Sequence, residues 1–113
     1  GQDETILPCL AMGGAKGGIG GTTNYNGRVL TSILKAWEDG DLDRARQLQN
    51  FAQDVIDVIC RYRGNIVAGK RIMKFLGLDL GLNRTPFQNM TDEEEAKMRD
   101  ELEKINFFDY CNV

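Results

Sequence analysis

Asp3 and Glu4, in the run Gly1-Gln2-Asp3-Glu4, are adjacent carboxylates beside a glycine, and a second chemically loaded stretch follows at Gly17-Gly18-Ile19-Gly20-Gly21-Thr22-Thr23-Asn24. Neighbouring carboxylates can accept several hydroxyl hydrogen bonds, and charge-assisted bonds of that type contribute roughly 1.5 to 3 kcal/mol each. That chemistry suits a polyhydroxylated, sugar-like ligand. The glycine run can form a nest of backbone amides at the start of the helix that follows Asn24, and such a nest faces an anion such as a carboxylate. Each feature also has a plain structural reading. Asp3 and Glu4 can serve as a helix cap and a first-turn acid, and the glycines as a tight turn.

The remaining composition narrows the chemistry. There is no His, and the only Ser, Ser32, sits inside an apolar helical pattern with Val29, Ile33 and Leu34. A Ser-His-Asp site, a His acid or base and a His metal site are therefore excluded within these residues, leaving carboxylates, Lys, Tyr, Cys or groups outside them. Cys9, Cys60 and Cys111 are odd in number and widely spaced, which fits neither a disulfide framework nor zinc, and a reducing, cytoplasmic setting is the default. The net charge of −3 opposes nucleic-acid binding, although Arg61, Arg63, Lys70, Arg71 and Lys74 gather locally. Lys70 and Lys74 read as surface or interface residues of a helix. A content of 42% hydrophobic and 27% charged residues is that of an ordinary globular chain, and no apolar run approaches the roughly 20 residues of a membrane span.

The elements that must position these groups follow from periodicity. A short helix is expected from Asp3 to Met12, capped by Asp3 or Thr5 and ended by Gly13 and Gly14, with Pro8 tolerated near its first turn. Gly17 to Gly20 reads as a short interior strand closely approached by backbone or ligand, and it needs partners on both sides. Val29, Leu30, Ile33, Leu34 and Trp37 define the next helix, closed by Gly40 in a left-handed cap. Asp41 then caps a helix of about 22 residues with a wide apolar face through Ala45, Leu48, Ala52, Val55, Ile59 and Tyr62. Gly64-Asn65 is expected to break it before a shorter helix from Val67 to Leu76. Gly77 to Asn89 reads as an ordered loop, and Thr91-Asp92-Glu93-Glu94 as a capping box opening the last helix, with Glu93 and Lys97 paired along it. Phe107, Phe108 and Tyr110 look like a terminal plug.

In this order Gly1-x-Asp3-Glu4, the turn Gly20-Gly21-Thr22-Thr23-Asn24, Glu38-x-Gly40-Asp41, Lys70-x-Ile72-Met73-Lys74, Arg84-x-Pro86-Phe87 and Phe107-Phe108 resemble the N-acetylneuraminate lyases, of the group of class I aldolases that includes dihydrodipicolinate synthase. The resemblance implies an α/β fold: the last part of a (β/α)8 barrel followed by a three-helix carboxyl-terminal extension, mostly helical in this stretch. Residues 1–39 would be the segment after strand 7 with strand 8 and helix 8, and residues 40–113 the extension. It further implies reversible Schiff-base cleavage of sialic acid to N-acetylmannosamine and pyruvate, without a cofactor or metal. The lysine and tyrosine that carry it would lie upstream, so no catalytic residue is expected here and the fragment alone should be inactive.

The same resemblance assigns Gly1, Asp3 and Glu4 to the hydroxylated tail of the substrate, Gly1 through its backbone. It also assigns Gly21, which stands where that family carries a substrate-contacting Ser. Small-molecule partners, sialic acid and pyruvate, with no nucleic acid or membrane, and a homotetramer of the full-length enzyme are implied. The start at Gly1, without Met or a preceding strand, fits a piece of a longer polypeptide. A related aldolase of other substrate, a non-enzymatic helical interaction module and a degenerate nucleotide-binding loop remain as alternatives. For the last, Lys16-Gly17-Gly18-Ile19-Gly20-Gly21-Thr22-Thr23 resembles the deviant loop of the ParA and MinD ATPases, but Gly21 replaces the phosphate-reaching lysine.

Overall fold

A computed structural model describes residues 1–112. A 3-10 turn at Asp3–Thr5 leads into α1 (Ile6–Ala11), followed by α2 (Thr23–Glu38), α3 (Leu42–Arg61), α4 (Gly64–Phe75), α5 (Asp92–Lys104) and α6 (Phe107–Tyr110). Among the described residues there is no strand, so the interior strand expected at Gly17–Gly20 is not formed. The reason is topological: a strand needs neighbours to satisfy its amides and carbonyls, and no second extended segment lies within these residues. Residues 14–20 instead run as irregular backbone along the first turn.

Local chemistry accounts for most helix boundaries. Gly40 ends α2 at φ +75°, a left-handed position that costs glycine nothing, and the Asp41 carboxylate accepts from the Arg44 amide at 3.0 Å to cap α3. The capping box of α5 is complete: Thr91 Oγ1 accepts from the Glu94 amide at 3.2 Å, and Glu94 Oε2 from the Thr91 amide at 2.9 Å.

Three boundaries depart from expectation. Neither Asp3 nor Thr5 caps α1 through its side chain, and the first turn tightens to 3-10 because the Thr5 amide bonds Gln2 O. The break between α3 and α4 comes from two successive left-handed residues, Arg63 at φ 68° and Gly64 at φ 73°. Gly64 and Asn65 thus begin α4 rather than interrupt the chain before it. Helix α2 already starts at Thr23 and is kinked at Asn26, where φ is −117° and ψ 16°. Asn112 sits in that kink: its Nδ2 donates to Thr23 O and its Oδ1 accepts from the Arg28 amide, each at 2.9 Å, while Gly27 leaves it room. A side chain inserted into the helical ladder is a recognised cause of such a bend.

Helix α3 is the shared wall of two hydrophobic clusters. Ala45, Leu48 and Ala52 pack with Ile6 and Leu10 of α1 and with Val29, Leu30, Ile33 and Ala36 of α2. Farther along, Val55, Val58 and Ile59 meet Tyr25, Val67, Ile72, Met98, Leu102 and Phe107. Phe51 touches both clusters, so packing is continuous across residue 40. Phe107 is fully buried and plugs the second cluster as expected, whereas Tyr110 is 46% exposed and lies against Phe51 at 5.0 Å between ring centroids. Ser32 is exposed on α2, its hydroxyl donating to Arg28 O at 2.7 Å, a local bond with no role in a site.

Candidate functional site

The two chemically loaded stretches lie against each other. Asp3 is 5% exposed, and its Oδ2 accepts both the backbone amide of Thr22, at 3.0 Å, and the Thr22 hydroxyl. Thr22 is itself 5% exposed and directly precedes α2. In place of the nest of amides expected at the start of this helix, one amide and one hydroxyl of Thr22 act there, and the anion they hold is the chain's own Asp3 carboxylate. Charge-assisted bonds to amides at the positive end of a helix are strong for the reason that makes such ends bind anions at all.

Glycine at position 20 is a condition of this arrangement. A Cβ built there would fall 1.8 Å from Asp3 Oδ1, so any side chain would expel the carboxylate. Gly18 lies under the Ile6 side chain and Gly1 lies by Ile19 O, so the chain start is laid along residues 18–22. Gln49, reaching in from α3, fixes the other side: its Nε2 donates to Asp3 O at 3.0 Å and its Oε1 accepts from the Leu7 amide at 2.9 Å. Three elements thereby hold the Asp3 turn, with every bond made to backbone or to a buried side chain.

Glu4 is placed differently. It is half-buried, beside this clamp, and makes no hydrogen bond or ion pair among the described residues. Asp3 Oδ1 likewise has no hydrogen-bonding partner among them. The acids expected to act together are therefore a buried one, half spent on holding the turn, and a neighbour with its carboxylate unspent.

Gly21 faces another residue. Its missing Cβ would lie 2.0 Å from Asn65 Nδ2 of α4, and Asn65 Oδ1 accepts from the Tyr25 hydroxyl at 2.5 Å. Tyr25 is 1% exposed; burial pushes its phenol well above the ordinary range, and the nearby Asp3 charge adds to this, so it stays protonated and donates. Gly21, Asn24, Tyr25, Asn65, Lys70 and Met73 border a cleft of about 340 Å³. Lys70 Nζ bonds Leu80 O at 3.4 Å and Leu82 O at 3.1 Å, tying the 77–89 loop to α4, and Lys74 pairs with Glu95 at 2.8 Å. Both lysines are structural in this setting.

Sequence reasoning missed Gln49 and Asn65. Gln49 leaves a signal, a polar residue inside the apolar stripe of α3 between Leu48 and Ala52. Asn65 leaves none, because its partner Tyr25 is 40 residues away. No group of three or more His, Cys, Asp or Glu among the described residues could hold a metal ion, and no helix among them is long and apolar enough to cross a membrane.

This fold is shared with a known group. A profile of the dihydrodipicolinate synthetase family matches residues 1–105, and the chain belongs to that family. Within it, the chain is 40% identical over 97 residues to N-acetylneuraminate lyase of Lactiplantibacillus plantarum, an alignment covering 85% of this chain and 32% of that protein. Its structure superposes on N-acetylneuraminate lyase of Proteus mirabilis with a TM-score of 0.86 at 29% identity, over 94% of this chain and 35% of the other. A Sulfolobus solfataricus 2-keto-3-deoxygluconate aldolase variant gives 0.82 at 30% identity, over 94% and 36%. The chain spans about a third of the length of these relatives.

Proposed function

We propose that this chain is the carboxyl-terminal part of an N-acetylneuraminate lyase-like class I aldolase. Residues 1–39 would complete the (β/α)8 barrel and residues 40–113 would form its helical extension. In the proposed reaction a lysine amine outside these residues condenses with the keto carbon of sialic acid and expels water. The carbon–carbon bond beyond the adjacent carbon then breaks. Its electron pair flows into the iminium to give an enamine, while the hydroxyl on the departing carbon yields its proton to a base and becomes the aldehyde of N-acetylmannosamine. Protonation and hydrolysis of the enamine release pyruvate and restore the amine.

The part of this chain is to hold the polyol tail through Gly1, Asp3, Glu4 and the backbone at Gly21. The observation that carries this reading is the unspent Glu4 carboxylate beside a turn held rigid by Asp3, Thr22 and Gln49. Binding groups on a fixed backbone lose little entropy when a flexible polyol docks. A cytoplasmic homotetramer acting on sialic acid and pyruvate, with no cofactor, belongs to the same proposal.

The decisive experiment is borohydride reduction of the full-length protein with pyruvate, followed by intact mass measurement. A reduced pyruvate adduct on one lysine is expected, and its absence would refute the aldolase. A second reading, an aldolase of 2-keto-3-deoxy sugar acids, draws on the likeness to the Sulfolobus enzyme. Comparing kcat/KM for sialic acid and 2-keto-3-deoxygluconate separates the two. The lyase reading also requires Glu4→Ala to lose affinity for sialic acid while pyruvate trapping is retained.

A further inference from the structure

Gly21 and Asn65 depend on each other. With a Cβ at position 21 lying 2.0 Å from Nδ2, the Asn65 carboxamide occupies the space that any side chain at position 21 would fill. The carboxamide is also oriented. Its Oδ1 is taken by the buried Tyr25 hydroxyl at 2.5 Å, and Gly69 on the next turn of α4 permits this approach, since a Cβ there would lie 3.0 Å from Oδ1 and 3.3 Å from the Tyr25 ring. Two glycines and a tyrosine thus fix one amide group.

The oxygen of that group has a structural use and the nitrogen has none. Nδ2 has no hydrogen-bond partner among the described residues, yet it lies over Gly21, and Asn65 borders the cleft of about 340 Å³ together with Gly21, Asn24 and Lys70. A side chain needed only to tie α4 to α2 through Tyr25 would not require a glycine at position 21 to let its donor lie over that backbone. A fixed donor facing a cleft is what recognises an acceptor oxygen, because its orientation is set before the ligand arrives.

We propose that Asn65 is a specificity residue of the sugar-acid site, its Nδ2 donating a hydrogen bond to a hydroxyl oxygen of the polyol tail lying along Gly20-Gly21. The proposal rests on the aldolase reading and adds a contact from α4, in the helical extension, to a site otherwise built from the chain start and the α2 junction. It also gives Gly21 a positive role. The glycine is the opening through which another helix supplies the polar group that the position itself lacks.

The test uses the full-length protein with two variants and two readouts. Asn65→Asp keeps an acceptor for the Tyr25 hydroxyl and removes the donor, whereas Gly21→Ala displaces the carboxamide and leaves its chemistry intact. In both, KM for the sugar acid should rise about three- to tenfold, the range for one lost hydrogen bond, with kcat nearly unchanged and pyruvate trapping by borohydride at the wild-type level. The double variant should be no worse than the poorer single one, because both remove the same contact. Wild-type KM in both variants overturns the proposal, as does a parallel loss of pyruvate trapping, which would make Asn65 purely structural. If the wild-type protein itself traps no pyruvate, the aldolase reading falls and this proposal with it, a result visible before any variant is compared.

Discussion

Gly20→Ala should unlatch the Asp3 turn even though nothing about the backbone at position 20 forbids alanine, since its φ lies outside the left-handed region. The conflict is with a side chain: the new Cβ would fall 1.8 Å from Asp3 Oδ1 and 2.4 Å from Oδ2, so the carboxylate must leave the Thr22 amide and hydroxyl. Two charge-assisted bonds in a buried setting are lost. Allowing for water to reach Thr22 afterwards, the cost is about 2 to 4 kcal/mol. Asp3→Ala removes the same bonds directly and should cost about as much. In the Asp3→Ala background, however, Gly20→Ala meets no carboxylate and should be nearly free, giving a coupling energy of about 2 kcal/mol or more. Amide hydrogen exchange in the full-length protein reads this locally: the Thr22 amide should exchange about 30-fold faster or more than wild type in either single variant, and in the double about as fast as in the Asp3→Ala single variant. Additive costs would refute the reasoning, because they would mean that position 20 and the carboxylate do not compete for one space.

Other outcomes follow from the same geometry. Gln49→Leu should cost about 2 kcal/mol in thermal or denaturant unfolding, since it strands the Leu7 amide and Asp3 O inside the fold. Asn26 is 1% exposed with both amide atoms unpaired among the described residues, so Asn26→Leu should be neutral or stabilising; a clear loss would mean that residues outside this chain satisfy the amide. Burial, aided by a hydrogen bond to Glu101, pushes Tyr62 up to about 12, and the same Tyr62 hydroxyl, with Arg61, holds Glu101 below the usual carboxylate range. The lowered Glu101 gives stability that is full above the ordinary glutamate range and is lost as pH falls through its depressed value. Glu101→Gln should therefore flatten the acid limb of a Tm–pH profile and leave the neutral plateau nearly unmoved in slope.

What the sequence made legible is the chemistry that acts within a few residues. Thr91 and Glu94 satisfy each other's amides across one turn, Gly40 and Asp41 end one helix and start the next, and the apolar spacing of α3 marks both faces it buries. The strand at Gly17–Gly20 was not so decided, because its stability belongs to neighbours that these residues do not contain. Gly64-Asn65 was misplaced for a related reason: the left-handed turn falls on Arg63 and Gly64, and an arginine at φ 68° carries no compositional sign. In the site, the glycine run did signal an anion-holding turn, but composition could not say that the anion is Asp3. Still less could it show that position 21 is reserved for a carboxamide from α4.

The bend of α2 is completed from far along the chain. Asn112 occupies Thr23 O and the Arg28 amide, groups that a bent helix leaves open, and it lies 84 residues beyond Arg28. A contact between residues so distant in sequence forms late, so until Asn112 docks, the front of α2 holds those two groups open to water. Replacing Asn112 alone would leave both hydrophobic clusters whole yet leave the bend next to Thr22 unbraced. One side chain near the far end of these residues thus governs the shape of the helix that begins at the Thr22–Asp3 clamp, while the bulk of the fold stands without it.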